Sequence, residues 1–278
     1  MSKAAELAAL IGSQTALSNR NLIINGAMQV AQRGTSTASV TGSGYHACDR
    51  WNLELSSLGT FTISQSTDAP AGFSSSFKVD CTTADASPAA SDYMVVQQKI
   101  EAQTLRQLGY GTSGAKAMTL SFYVKSNKTG TYEIMHFAAD GTRAVNSTYT
   151  INSANTWEFK SVSIPGDTGG TMNNDNGEGL RSLFYLGVGS DRTSGTTPTA
   201  WQAYATANEA PSQGVNIADS TSNEWLITGV QLEIGDVATP FEHRSYGDEL
   251  AVCQRYYYQI KSPDTFTRYA MSTYDTST

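Results

Sequence analysis

Apolar and polar positions alternate with a period of two over residues 223–235. Leu226, Thr228, Val230, Leu232 and Ile234 hold one parity; Ile227, Gly229, Gln231 and Glu233 hold the other. That period belongs to a strand with one buried face. Gly235-Asp236 ends the run, and Pro240 has no backbone N–H for further pairing, so the strand leaves its sheet sharply. The same reading predicts strands at Trp51, Leu53 and Leu55, at Phe61 and Ile63, and at Phe77, Val79 and Cys81. The clearest alternation sets Met118, Leu120, Phe122 and Val124 against Thr119, Ser121, Tyr123 and Lys125. Tyr132, Ile134, His136 and Ala138 follow, then Tyr149 and Ile151, residues 180–188, and a region around Trp201 and Tyr204. Trp157 and Phe159 share one parity while Val162 and Ile164 hold the other, which predicts a bulge near Lys160.

Helical spacing is confined to short pieces. Leu7, Leu10, Ile11 and Leu17 form an apolar stripe among alanines, predicting a short amphipathic helix within residues 2–17. Such a helix is marginal alone; its stripe packs either on its own domain or on copies and docking partners. Residues 101–108 read as one or two helical turns, and 245–258 as a helix carrying Leu250, Val252, Cys253, Tyr256 and Tyr257. Residues 21–34 read as strand, tight turn at Asn25-Gly26, and strand. Phe266, Tyr269, Met271 and Tyr274 suggest the start of another β element. The predicted class is mostly β: a jelly-roll-like antiparallel sandwich over 21–244, after an N-terminal attachment or oligomerisation helix in 1–20 and before a linking helix and the start of a β region in 245–278.

Composition sharpens this picture. Of 278 residues, 39% are hydrophobic and only 15% charged, with 24 glycines and 14 tyrosines, which suits short strands and many turns. A formal charge of −7, with 18 scattered basic residues, argues against nucleic acid or an anionic membrane as partner. No apolar run is long enough to span a bilayer, and Met1-Ser-Lys-Ala-Ala-Glu6 lacks the apolar core of a signal peptide. Cys48, Cys81 and Cys253 are widely spaced and are expected to be reduced, buried thiols made in a cytoplasm.

Candidate chemistry is sparse. No nucleophile elbow, zinc-binding helix motif, phosphate loop or dinucleotide fingerprint occurs among the residues around His46, His136 and His243. His136, on a strand face with Tyr132 and Ile134, is expected to be a core histidine. The polar loop 167–178 has oxygen-bearing side chains, but Met172 falls where a calcium loop needs a ligand, so no metal or other cofactor is expected. Nothing points to catalysis. Saccharides are held by aromatic faces and polar rims, which makes Tyr123, Tyr132, Trp157, Trp201, Tyr204 and Trp225 glycan-contact candidates, each with core packing as its alternative. Tyr123 stands out, because Thr119, Ser121 and Lys125 mark its face as polar.

Two stretches carry a resemblance. The run Ile227-Thr-Gly-Val-Gln-Leu-Glu-Ile-Gly235, continuing to Ala238-Thr-Pro-Phe-Glu242, resembles the closing strand of many carbohydrate-binding-module-like sandwiches. Its continuation, His243-Arg-Ser-Tyr-Gly-Asp-Glu-Leu-Ala-Val-Cys-Gln-Arg-Tyr-Tyr257, resembles bacteriophage tail-fibre and related virion proteins of a marine or cyanobacterial type. Asn21-Leu-Ile-Ile-Asn-Gly-Ala-Met-Gln-Val-Ala-Gln-Arg-Gly34, followed by Tyr45 and Asp49-Arg50-Trp51, resembles the opening of the same fibre proteins. The resemblance implies a virion structural protein, most simply a tail-fibre subunit contributing to host-glycan adhesion. A head or capsid fibre, or a virion-borne polysaccharide depolymerase, is the alternative. It further implies a homotrimer, docking to a tail adaptor, nozzle or capsid protein through Leu7, Leu10, Ile11 and Leu17, and a chain that continues beyond Thr278.

Overall fold

The computed structural model describes residues 19–259; the predicted helix with Leu7, Leu10, Ile11 and Leu17, and the β element at 266–274, lie outside them. Within the described residues, twelve strands make two sheets. In the first, β1 (Ser36–Val40), β3 (Thr60–Ser66), β4 (Ser76–Thr83), β12 (Glu224–Ile234), β6 (Met118–Ser126) and β9 (Glu158–Ile164) lie side by side in that order. The second runs β11 (Gln202–Ala203), β8 (Arg143–Ile151), β7 (Gly130–Ala138), β10 (Glu178–Val188), β5 (Tyr93–Glu101), β2 (Asn52–Ser56). The pairings are antiparallel, and strands far apart in the chain are neighbours in space. The result is the mostly-β, jelly-roll-like sandwich that the alternation predicts. Among the described residues, helix is limited to α1 (Ala102–Leu105) and α2 (Tyr246–Gln254), plus short 3-10 turns. No helix among the described residues is long and apolar enough to cross a membrane.

The core lies between the sheets. Trp225, Ile227, Val230 and Leu232 of β12 and Phe122 of β6 face Tyr132, Tyr149 and Phe184 of the other sheet, all buried. Phe122 meets Phe184 edge-on at 5.3 Å, and the indole N–H of Trp225 donates to the Tyr149 hydroxyl at 3.1 Å. Each such ring contributes about 1.5–3 kcal/mol through area removed from water. Cys48, Cys81 and Cys253 are buried free thiols.

Four departures from simple alternation have physical causes. First, β12 does not keep one parity: its pairing with β6 jumps from Thr228↔Tyr123 to Gln231↔Ser121. The bulge at Gly229-Val230 puts Trp225 and Ile227 inside before it and Val230 and Leu232 inside after it, so Leu226 and Thr228 face outward. Second, β9 has no bulge near Lys160; its register with β6 is unbroken, and Phe159 points out of the sandwich. Third, β5 escapes the alternation test because both its faces are covered. Met94 and Val96 enter the main core, while Val95 joins Met135, Leu183 and Tyr185 in a second cluster on the outer surface of the sheet.

Fourth, residues 21–30 contain the turn at Asn25, where Met28 N–H bonds the Asn25 carbonyl, but no flanking strands. β4 pairs with β12 only as far as Ile227. Beyond it, the 21–26 segment takes over the vacated edge. Leu22 N–H donates to the Leu232 carbonyl at 2.8 Å, and Val230 N–H to the Gly26 carbonyl at 3.0 Å. The Asn21 amide bridges both Val230 O and Leu232 N. A Cβ on Gly26 would lie 2.1 Å from the Val230 carbonyl oxygen, so only glycine approaches this closely. The two stretches that carry the resemblance are therefore one structural unit.

Candidate functional site

That unit positions an open pocket of about 510 Å³ on the outer face of the first sheet. Its floor is Ser121 and Tyr123 of β6, Phe159 of β9 and Gly229 of the bulge. One wall is the β3–β4 loop through Phe73, and the other is the segment 238–243. Because the polypeptide bulges at Gly229 with φ of +60°, backbone rather than side chain forms the floor. A Cβ there would come 2.7 Å from Phe73 Cζ and 3.1 Å from Tyr123 Cδ2.

The far wall is held from below. Glu233 is fully buried and accepts hydrogen bonds from Thr239 N–H at 2.8 Å, Thr239 Oγ1 at 2.6 Å and Gln231 Nε2 at 2.9 Å, with Arg20 Nε at 3.6 Å. Gln231 Oε1 accepts from Glu242 N–H at 2.8 Å, and the Glu242 carboxylate accepts from the backbone of Asn19 and Asn21. These clamps fold the chain back after the sharp exit at Gly235 and hold Phe241 and His243 over the pocket. A buried carboxylate with this many donors is satisfied, and the pinned loop is rigid for the same reason.

The rings form one continuous strip. Phe159 lies 5.2 Å from Tyr123, Tyr123 5.5 Å from Phe73, and Phe73 5.0 Å from Phe241 and 5.3 Å from His243, centre to centre. Phe159 remains 51% exposed, so the strip opens to solvent at its β9 end. Beside it, Asp68 accepts from Lys125 Nζ at 2.5 Å and from the Trp157 indole at 2.9 Å. Desolvation raises the Asp68 pKa, but those two donors outweigh it and the net shift is downward. The lining of the pocket contains no carboxylate. It offers apolar ring faces with a few hydroxyls and an imidazole, a combination suited to the C–H face and hydroxyl rim of a pyranose. It holds no pair of acids for glycosidic cleavage.

The predicted contact residues are dispersed. Tyr123 lies in the pocket, and Trp157 is half-buried on the same outer face. Tyr132 and Trp225 are interior and cannot touch a ligand: their rings are consumed by core packing between the sheets. Trp201 is likewise buried, edge-on to Tyr110 at 5.6 Å, its indole donating to the Pro165 carbonyl at 2.6 Å. Tyr204 sits on the outer surface of the opposite sheet, its hydroxyl bonded to Glu209. Phe73, Phe159, Phe241 and His243 were not picked out from the sequence. The out-of-phase parity of Phe159 was its signal; Phe73, in a loop of small residues, has none.

The remaining candidates are structural. His136 is buried in the core with Nδ1 3.0 Å from Ser182 Oγ. In the 167–178 loop, Asp167 is buried and accepts from Arg143 Nε at 2.8 Å and Gly169 N–H at 3.1 Å. Among the described residues, no group of three or more His, Cys, Asp or Glu side chains is arranged to hold a metal ion.

Replacing Gly229 with alanine is expected to cost about 1–2 kcal/mol, because a left-handed backbone is imposed on an L-residue. It also pushes Phe73 off the floor. Urea denaturation measures the first effect; the second is read as altered aromatic ring-current shifts at Tyr123.

No protein-family model matches the chain, and a search of curated proteins gave no match. Among solved structures, the chain is similar to the enzymatically active domain of tailspike protein 4 of bacteriophage CBA120, at 16% identity and a TM-score of 0.40. That alignment covers 78% of this chain, which spans only 22% of the tailspike chain. It is also similar to TmCBM61, solved with β-1,4-galactotriose, at 7% identity, a TM-score of 0.37, and coverage of 78% and 100%. A third is the family 11 carbohydrate-binding module of Clostridium thermocellum, solved with a β-1,3-1,4-mixed-linked tetrasaccharide, at 12% identity, a TM-score of 0.33, and coverage of 74% and 98%.

Proposed function

We propose that this chain is a bacteriophage virion fibre subunit whose sandwich holds a neutral host-surface glycan in the Phe73–Tyr123–Phe159 pocket and does not cleave it. The observation that carries the glycan reading is the aromatic strip over the Gly229 bulge, whose lining includes no carboxylate. The fibre reading rests on the resemblance of residues 21–51 and 243–257 to phage fibre proteins, the second following directly on the sandwich-closing stretch 227–242. The same residues build the sandwich end and the pocket wall, which gives the two stretches a reason to occur together.

Stacking on a few rings with sparse polar contacts supports millimolar affinity for one domain, about −4 kcal/mol. We place the chain in a homotrimer attached to another virion protein through Leu7, Leu10, Ile11 and Leu17. Several pockets on one particle then reach useful avidity through effective concentration. The test is to incubate purified protein with host surface polysaccharide. Binding without release of reducing ends is expected, and Tyr123→Ala is expected to weaken it about tenfold, the equivalent of 1.4 kcal/mol, with an unchanged melting curve. Reducing ends accumulating with time would overturn the non-enzymatic reading. Absence of binding by the assembled protein would overturn the glycan reading and leave a structural spacer.

A further inference from the structure

The two resembling stretches meet a second time, at a cavity of about 160 Å³ that shares no lining residue with the aromatic pocket. Tyr45, Asp49 and Arg50 come from the first stretch; Cys253, Tyr256 and Tyr257 come from the second. Arg50 is only 8% exposed. One of its terminal nitrogens donates to the Lys99 carbonyl, and its guanidinium stacks 3.5 Å above the Tyr256 ring. Among the described residues its Nε has no partner, and no carboxylate is paired with it.

The charges around it do not close. Asp49 is engaged by Arg33 at 3.6 Å and by both the backbone and side chain of Gln32. Glu101 is held by Arg255 through two bonds of 3.0 and 2.8 Å. Among the described residues, three guanidiniums therefore share two carboxylates, and one positive charge remains. The Cys253 thiol supplies no negative charge, since burial pushes its pKa up to about 12. Burial also lowers the pKa of Arg50, which nonetheless stays protonated. A buried cation without a counter-ion is unfavourable, and doubly conspicuous in a chain of formal charge −7.

We infer that this cavity is a binding site for a carboxylate, anchored on the Arg50 guanidinium that lines it. A monoanion matches the single uncompensated charge. A phosphate monoester brings a second negative charge toward Asp49 and fits less well. Tyr45, 37% exposed, stands at the mouth and offers a face to whatever carries the carboxylate, such as the ring of a uronic acid. The free acid and the uronic acid share the chemistry, and the experiment separates them.

The test uses the full chain labelled with nitrogen-15, following the Nε–H resonance of Arg50 while glucuronate, acetate or glucose is added. Glucuronate is expected to shift this resonance saturably and to raise the melting temperature, while glucose does neither. Arg50→Gln is expected to lose the melting shift, Arg50→Lys to keep a fraction of it, and Tyr123→Ala to keep all of it, which makes this site independent of the aromatic pocket. A response to acetate but not to glucuronate supports a carboxylate site too narrow for a sugar acid. An unmoved resonance with both acids, or an equal shift with glucose, overturns the inference even if the variants fail to fold.

Discussion

Leu232→Asp is expected to yield no soluble, cooperatively melting protein. Leu232 is fully buried on the inner face of β12, in the middle of the first sheet and next to the bulge that the 21–26 segment seals. The substitution removes about 2–3 kcal/mol of apolar burial. It also places a carboxylate where no described cation reaches it, at a cost of several kcal/mol more or of forced protonation. Domains of this kind are stable by only about 5–15 kcal/mol. Circular dichroism and thermal melting of the purified variant provide the check. A folded Leu232→Asp protein with a sharp transition would mean that the inner face of β12 is misassigned.

The second large effect is on acid stability, through His136. Burial lowers its pKa to about 3 in the folded chain, against about 6.5 in an unfolded one. The unfolded state therefore binds the extra proton between those two values. The contribution to stability is fully present above pH 6.5 and is lost as pH falls toward 3, at about 1.4 kcal/mol per pH unit. At pH 4 the loss is about 3 kcal/mol. Glu101, whose hydrogen bonds from Arg255 hold its pKa to about 2, loses its contribution in the lower window below about 4.5. Comparison with His136→Gln isolates the histidine, because glutamine preserves a polar partner for Ser182 but does not titrate. Urea denaturation between pH 7 and 4 is expected to show the native protein losing stability faster than the variant by one proton's worth. Equal slopes would place a proton-accepting or solvated histidine where the structure shows a buried neutral one.

Alternation was readable wherever one strand face is dry and the other wet. β6 shows this: Leu120 and Phe122 point inward, and Tyr123 and Lys125 point out. It failed at β5, whose Val95 and Met94 are both buried because a second apolar cluster covers the outer face. It misplaced the bulge because the apolar residues that break phase have two causes. At β12 the backbone really does gain a residue, whereas at β9 an exposed Phe159 merely breaks the pattern. The second cause is what a binding surface looks like in one dimension. His243 reaches the site through a segment pinned by buried Glu233 and by Glu242, whose bond to Asn21 spans more than 200 residues and leaves no local trace; Phe73 comes from the β3–β4 loop. Of the six aromatics singled out, Tyr123 was distinguished by its polar strand-mates. Trp225 and Tyr132, which have the same chemistry, are core because their parity faces the other sheet.

The most direct test of glycan binding at the aromatic pocket is chemical-shift mapping of the labelled protein during titration with the host-surface saccharide that it retains. Perturbations are expected at Phe73, Tyr123, Phe159, Gly229 and His243, saturating together with a single millimolar constant. The opposite sheet supplies an internal control, since its outer face has a smaller hollow of about 160 Å³ built on Tyr93, Arg192 and Glu209. Perturbations confined to that face, with Tyr123 and Gly229 unmoved at saturation, would contradict the account.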